Sequence, residues 1–433
     1  MMLSGGRPSK SVADMQGTKN GETARLAVGK ENLPGLFVLR FDYREKESST
    51  PYPSEKSIFI SNQDLELWVN PMFCNNGDST RFQQDERENA AFLRFSKEKS
   101  RRKEKIGLLQ NFLINYDDAE SSFYKMGIDE YEQRRQIHNT WLKTSEQEDK
   151  ALFISNLYSF QHIPEIALKG DETDRINSLI NHYFDGMDFT NPLLIKLPEL
   201  NRWMDNYVNL YGQLSTTVAL RASLFPRAGA NAIKKAKQVD PLVYGWMVDY
   251  FYRGYETNGI NAGMKVLEPY LNDPNCLTAK RQEIARRLKG MEMLIPGTRA
   301  PDIAMKDTND RQFNLNTFET PGKYILVLFW SADCSHCVEM TNLIYPWQQQ
   351  AGVHPKVTVV AISLDETSTE IQEWKKKAPQ MKGWKHLRAP DGIRSKAASD
   401  YYVLATPVMV LLDAKIKMIV ALPNTLSELI KAM

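Results

Sequence analysis

The stretch "YILVLFWSADCSHC", residues 324–337, sets the reading of the whole chain. Seven consecutive apolar residues, Tyr324 to Trp330, are what a strand needs when both of its faces are covered. A helical pattern starts at the two cysteines, which stand two residues apart as Cys334 and Cys337 with Ser335 and His336 between them. A sulfur at the first turn of a helix meets unpaired N–H donors and a partial positive charge, and both favour thiolate over thiol. Cys334 is then the exposed, attacking sulfur and Cys337, one turn further in, the resolving one. His336, when protonated, adds to the stabilisation of the thiolate, while the carboxylate of Asp333 opposes it. A pair whose reduced form is stabilised in this way is a stronger oxidant.

Two other readings of the pair stay open on spacing alone. A structural zinc takes four ligands, and one CxxC supplies two, with no second CxxC or HxxxH to complete the set. A CxxC can also arise by chance and be inert. Cys74 and Cys276 stand far from each other and from this pair, and are read as small buried hydrophobes. Four cysteines in 433 residues are too few for a disulfide-stapled secreted scaffold.

On either side of the stretch the pattern alternates strand and helix. "KVTVVAISL" (356–364) is a second buried strand, and "VMVLLD" (408–413) with "IKMIVAL" (416–422) forms a hairpin-like pair. Helical stretches are expected over 334–350, 367–377, 392–401 and 425–433. "LIPGTRAPD" (294–302), with two prolines and a glycine, is a junction, so an α/β domain is expected over 294–433. Residues 81–293 carry helical stripes such as Leu108, Leu109, Phe112, Leu113 and Tyr116, with others at Leu152, Phe153 and Leu157 and at Met204, Tyr207, Val208 and Tyr211. This is a central all-α region of six to eight helices. Its histidines, His138, His162 and His182, form no metal-ligand spacing and read as surface or capped residues. Residues 1–80 read as a small β-sheet region of three strands: "GLFVLRFDY" (35–43), which alternates with Phe37, Leu39 and Phe41 on one face, then "IFI" (58–60) and "LELWV" (65–69). The fold class is therefore α+β and multidomain.

Composition excludes several classes. With 55 Lys and Arg against 53 Asp and Glu, the net charge of +2 gives no reason to expect nucleic acid as a partner. The basic run "SKEKSRRKEK" (96–105) is interrupted by glutamates and reads as a solvated helix face. No apolar window is long enough to span a membrane, and the polar N-terminus lacks a signal-peptide core, which taken literally means the cytoplasm.

Residues 295–433 resemble the thioredoxin fold, and more narrowly the TlpA/ResA-like family of extracytoplasmic thiol–disulfide oxidoreductases. The resemblance rests on "PGTRAPDI", "RQFNLNTF", "GKYILVLFWSADCSHC", "VVAISLDET" and "DYYVLATPVMVLLD", in that order. It implies a thioredoxin-like fold, a redox-active Cys334–Cys337 disulfide with no organic cofactor and no metal, and protein thiols or disulfides as partners. It also implies a cis peptide between Thr406 and Pro407, facing the cysteines and shaping a substrate groove; Trp330 is grouped with that groove but reads as packing beneath the site rather than acting directly. Two departures are plain. Leu328 occupies the position where many thioredoxins carry a buried acid, and Asp333 replaces a second tryptophan; both suggest altered proton handling. The front, "LPGLFVLRFDY…KSIFISNQDLELWVNP", resembles the small β domain that precedes helices and a TlpA-like domain in envelope proteins of Gram-negative anaerobes. In that layout more strands and a signal sequence precede this point, so the expected location is the periplasm or envelope and the start is read as trimmed. The expected electron donor is another thiol protein, membrane-borne or in the envelope. A peroxiredoxin wants Pro-x-x-x-Thr-x-x-Cys, and the residues before the cysteines, Phe329 to Asp333 among them, supply neither that proline nor that threonine. The non-enzymatic alternative is an envelope binding or scaffold protein whose redox domain docks partners.

Overall fold

The computed structural model describes residues 2–5, 10–15, 19, 21–46, 49–237, 239–307 and 311–433. The chain forms two compact units, Met1–Gly254 with Asp273–Ala279, and Tyr255–Asn272 with Lys280–Met433.

The first unit opens with strands β1 (Met2–Gly5), β2 (Lys10–Asp14), β3 (Gly35–Tyr43) and β4 (Tyr52–Ile60), which make one antiparallel sheet in the order β2-β1-β3-β4. Phe37, Leu39 and Phe41 bury one face of β3, as their alternation predicts. Two corrections arise here. The sheet gains β1 and β2 from a polar N-terminal stretch that shows no strand alternation. The expected third strand leaves the sheet: β5 (Leu67–Val69) pairs instead with β6 (Thr80–Phe82) in a separate ribbon.

Helices α1 (Glu88–Ile114), α2 (Ser122–Glu148), α3 (Glu172–His182), α4 (Pro198–Leu214), α5 (Val218–Ala236) and α6 (Pro241–Thr257) follow. Their starts are chemically marked: Ser121 caps α2 by accepting from the Tyr124 N–H, Asp171 and Asp174 form a capping box on α3, and Pro198 opens α4. The apolar group at Leu152, Phe153 and Leu157 folds as a 3-10 helix, Phe153–Gln161, and not as an α-helix. Within the basic run, Glu98 pairs with both Arg101 and Arg102 on the surface of α1. Cys74 and Cys276 are both buried, as their reading as small hydrophobes expects.

His138 departs from the surface reading: it is fully buried on α2, and its Nε2–H donates to the Gln161 carbonyl at 3.0 Å. Burial pulls its pKa from 6.5 down to about 4. The native imidazole is thus neutral where the unfolded one takes up a proton, so its contribution is lost as pH falls from about 6.5 toward 4. His138→Gln is expected to remove up to about 2 kcal/mol of acid destabilisation across that window. Urea melts of both proteins between those pH values check it, and parallel pH dependences would count against it.

The second unit takes in α7 (Asn261–Leu271) and α8 (Arg281–Met293). Gly290 lets α8 approach closely, since a Cβ there would lie 2.6 Å from that of Tyr402. A short hairpin, β7 (Ala304–Lys306) and β8 (Gln312–Asn314), leads into β9 (Tyr324–Trp330), α9 (Ser335–Gln348), β10 (Val357–Ser363), α10 (Ser368–Lys377), β11 (Lys385–Arg388), α11 (Lys396–Asp400), β12 (Val408–Asp413), β13 (Ile419–Ala421) and α12 (Leu426–Ala432). The stretch expected to be helical over 392–401 divides into a 3-10 turn, Gly392–Arg394, and α11, because Ser395 breaks in to cap the latter. The sheet order is β11-β10-β9-β12-β13, with β9, β10 and β11 parallel to one another and β12 antiparallel to both of its neighbours, β9 and β13. Every residue of β9 is buried. Ile325, Val327 and Phe329 enter one core; Leu326, Leu328 and Trp330 enter the other, with Cys337 of α9, Trp374 of α10 and Leu429 of α12. Among the described residues no helix is long and apolar enough to cross a membrane.

Candidate functional site

The site forms where β9 ends and α9 begins. Cys334 is the N-cap of α9, and its Sγ accepts a hydrogen bond from the Cys337 N–H at 3.3 Å. The same sulfur, half-buried, donates to the Thr406 carbonyl at 3.6 Å. Thr406–Pro407 is a cis peptide at the entrance to β12, and both residues are half-buried. The structure thus brings Cys334, Cys337 and Thr406 together, with Pro407 next to Thr406 in the chain.

Cys337 lies behind Cys334 and is fully buried. Burial raises its pKa well above 9.0, and its hydrogen bond with Cys334 raises it further; contacts with Thr406 and the Ser331 backbone offset part of this. The two thiols thus sit in unlike surroundings, one reachable from solvent and one held protonated.

The remaining expected residues divide. Asp333 is exposed, and its backbone N–H donates to Ser331 Oγ at 3.4 Å. His336 is also exposed, its Nδ1 3.7 Å from Glu339 Oε2, in a pair too solvated to hold the ring firmly. Trp330, grouped with the substrate groove but read as packing beneath the site, is at 0% exposure within the core under the cysteines and lines no open groove.

Sequence reasoning missed the carboxylate that holds the approach to Cys334. In the parallel register Trp330 lies opposite Ser363, so Asp365 falls level with Ser331 and Ala332. Asp365, 1% exposed, accepts from Ser331 Oγ at 2.5 Å, from the Ala332 N–H at 3.0 Å and from Ser363 Oγ at 2.7 Å. From the other side, Lys377 Nζ at the end of α10 donates to the Ala332 carbonyl at 2.7 Å. One residue, Ala332, two before Cys334, is thereby held on both sides, through the peptide N–H before its Cα and the C=O after it. The available signal was an acid directly after a buried strand in "AISLD", where an unpaired charge would be costly.

A family model described as thioredoxin-like matches residues 322–418. A solved thioredoxin-like protein from Bacteroides caccae is 19% identical, over 62% of this chain and 96% of its own, with a TM-score of 0.42. The thioredoxin domain of a thiol-disulfide oxidoreductase from Bacteroides vulgatus is 27% identical, over 32% of this chain and 94% of its own, at 0.28. A thiol:disulfide interchange protein from a Bacteroides species is 28% identical, over 32% and 88%, at 0.26. No curated protein matches the chain. The β11-β10-β9-β12-β13 sheet, the cis Thr406–Pro407 peptide and the family match identify residues 322–418 as a thioredoxin-like domain in a multidomain chain.

Proposed function

We propose that the protein is a thiol–disulfide oxidoreductase that exchanges its Cys334–Cys337 pair with protein substrates in the cell envelope. The observation that carries this is the placement of the two sulfurs: Cys334 half-exposed between the Cys337 N–H and the Thr406 carbonyl, with Cys337 buried behind it. In the reducing direction the Cys334 thiolate attacks one sulfur of a substrate disulfide. The substrate S–S bond breaks, the leaving thiolate takes up a proton, and a mixed disulfide joins Cys334 to the substrate. Cys337 then loses its proton and attacks Cys334 Sγ. The intramolecular disulfide forms, the second substrate thiol leaves protonated, and two electrons have passed from the protein to the substrate. The oxidising direction is the reverse.

Thr406 and Pro407 border the place an extended substrate would take, and His336 and Asp333, both at the solvent edge, would tune Cys334. The disulfide itself is the redox group, with no further cofactor. The envelope location, the protein thiol partners and a membrane-borne or envelope thiol donor follow from the resemblance to the TlpA/ResA-like family.

Removing the resolving thiol tests the assignment. Cys337→Ser is expected to accumulate mixed disulfides with a disulfide-bonded test protein, seen as adducts on a non-reducing gel that dithiothreitol reverses. The double variant Cys334→Ser, Cys337→Ser forms none. A Cys337→Ser protein that gives no adduct would sink the reading.

A further inference from the structure

The first unit carries a group of residues that the dithiol chemistry does not use. β4 is the outer strand of its sheet, and its free edge is covered in two places by side chains that imitate a neighbouring strand. Asn89 Oδ1 accepts from the Phe59 N–H at 2.8 Å while Asn89 Nδ2 donates to the Phe59 carbonyl at 2.9 Å. Four residues back, Asn75 Nδ2 donates to the Glu55 carbonyl at 2.9 Å. Antiparallel alternation turns the N–H and C=O of Ser57, midway between, toward the same edge. That gap opens into a pocket of about 300 Å³, lined by Lys56 and Ser57 with Phe82, Phe92 and Leu93.

Lys56 is the unexplained residue. It is 8% exposed, and among the described residues it has no ion pair and no hydrogen-bond acceptor; its Nζ lies 5.8 Å from the centre of the Phe82 ring. The acid at the rim, Glu55, has its carboxylate 3.8 Å from Arg40. Burial pulls the Lys56 pKa below its ordinary 10.5, with the Cys74 thiol acting in the opposite sense. The Lys56 ammonium lies at the pocket beside the Phe82 ring without a counter-charge among the described residues, and an anion entering the pocket would pair with it.

We propose that this pocket binds a small carboxylic acid with an aromatic or branched apolar tail. The carboxylate pairs with the Lys56 ammonium and accepts from the Ser57 N–H, and the tail lies among Phe82, Phe92 and Leu93. One cation and one N–H suit a monoanionic carboxylate, whereas a phosphate dianion calls for more donors. The volume sits at the lower limit for small-molecule sites, which fits a ligand of about ten non-hydrogen atoms.

The probe is 4-fluorophenylacetate on the full chain, followed by fluorine NMR, with neutral 4-fluorophenylacetamide as comparison. Saturable binding of the acid is expected, with the amide at least about tenfold weaker. Lys56→Met should weaken the acid by a similar factor. Leu93→Glu, at an exposed position at the mouth, should do the same without touching the core, which keeps the test valid if Lys56→Met fails to fold. The double variant Cys334→Ser, Cys337→Ser should bind normally. Absence of saturation up to about 10 mM, equal binding of acid and amide, or undiminished binding by a folded Leu93→Glu protein would each overturn the proposal.

Discussion

Iodoacetamide is expected to modify Cys334 of the reduced protein at least about a hundredfold faster than Cys337 near pH 8. Alkylation needs a thiolate and a path to it. Cys334 offers its sulfur to solvent and receives the Cys337 N–H, whereas Cys337 is fully buried and its proton is held by burial first and by Cys334 second. Each unit by which a thiol pKa rises lowers its thiolate fraction about tenfold, before access is counted. Mass spectrometry of the two alkylated positions over time measures the ratio; comparable rates would mean that the buried thiol is not protected. The same asymmetry orders the reaction. Once Cys334 is tied into a mixed disulfide it no longer holds the Cys337 proton or repels its charge, so the resolving sulfur is released when it is needed. Linkage gives a further consequence. A thiol raised in the folded state supports stability below about pH 9.0 and loses that support as pH rises past it. Cys337→Ser should therefore flatten the alkaline decline in stability.

The parts of this site legible in the sequence are those whose burial leaves no alternative. Seven apolar residues in a row, Tyr324–Trp330, can serve only a strand covered on both faces, and they place Cys334 at the start of a helix. Pro407 was readable as the cis residue through the resemblance around "ATPVMVLLD". What escaped was polar. Lys377 ends the run "WKKK" and looks like any solvated helix end, though it reaches the Ala332 carbonyl. β11 is "KHLR", an edge strand whose charges hide it and whose pairing with β10 needs the tertiary fold. β1 and β2 lack alternation because their pairing, and not their composition, makes them strands. Trp330 adjoins the cysteines in sequence, and strand parity turns it into the core with Leu326 and Leu328, as its packing reading expects. Leu328 leaves β9 wholly apolar, and the buried acid near the site comes from just past β10, as Asp365.

Asp365→Ala is expected to cost about 3 kcal/mol of stability and to slow disulfide exchange by about a hundredfold. The carboxylate receives two hydroxyls and one peptide N–H, and Ala332, whose N–H is one of these donors, is fully buried. Water cannot readily take over such donors, and each buried donor left unpaired costs about 1–3 kcal/mol. Asp365→Asn keeps the shape and one acceptor oxygen, and the Ser363 hydroxyl can turn to accept from the new amide, so its cost should be about 1 kcal/mol. The kinetic effect has a separate origin. Ala332 stands two residues before Cys334, and when its N–H is released the Lys377 bond to its carbonyl holds the residue on one side only. An error of about 1 Å in the position of an attacking atom is enough for a hundredfold loss. A variant that merely weakens the domain separates the two effects. Leu412→Ala removes a fully buried side chain from the opposite core and should cost about the same stability while leaving Cys334 in place. Exchange with a small aromatic disulfide, measured where all three variants are folded, should rank Asp365→Ala far below Leu412→Ala. Equal rates at equal stability would reduce Asp365 to a structural part of the domain, with no hold on the attacking sulfur.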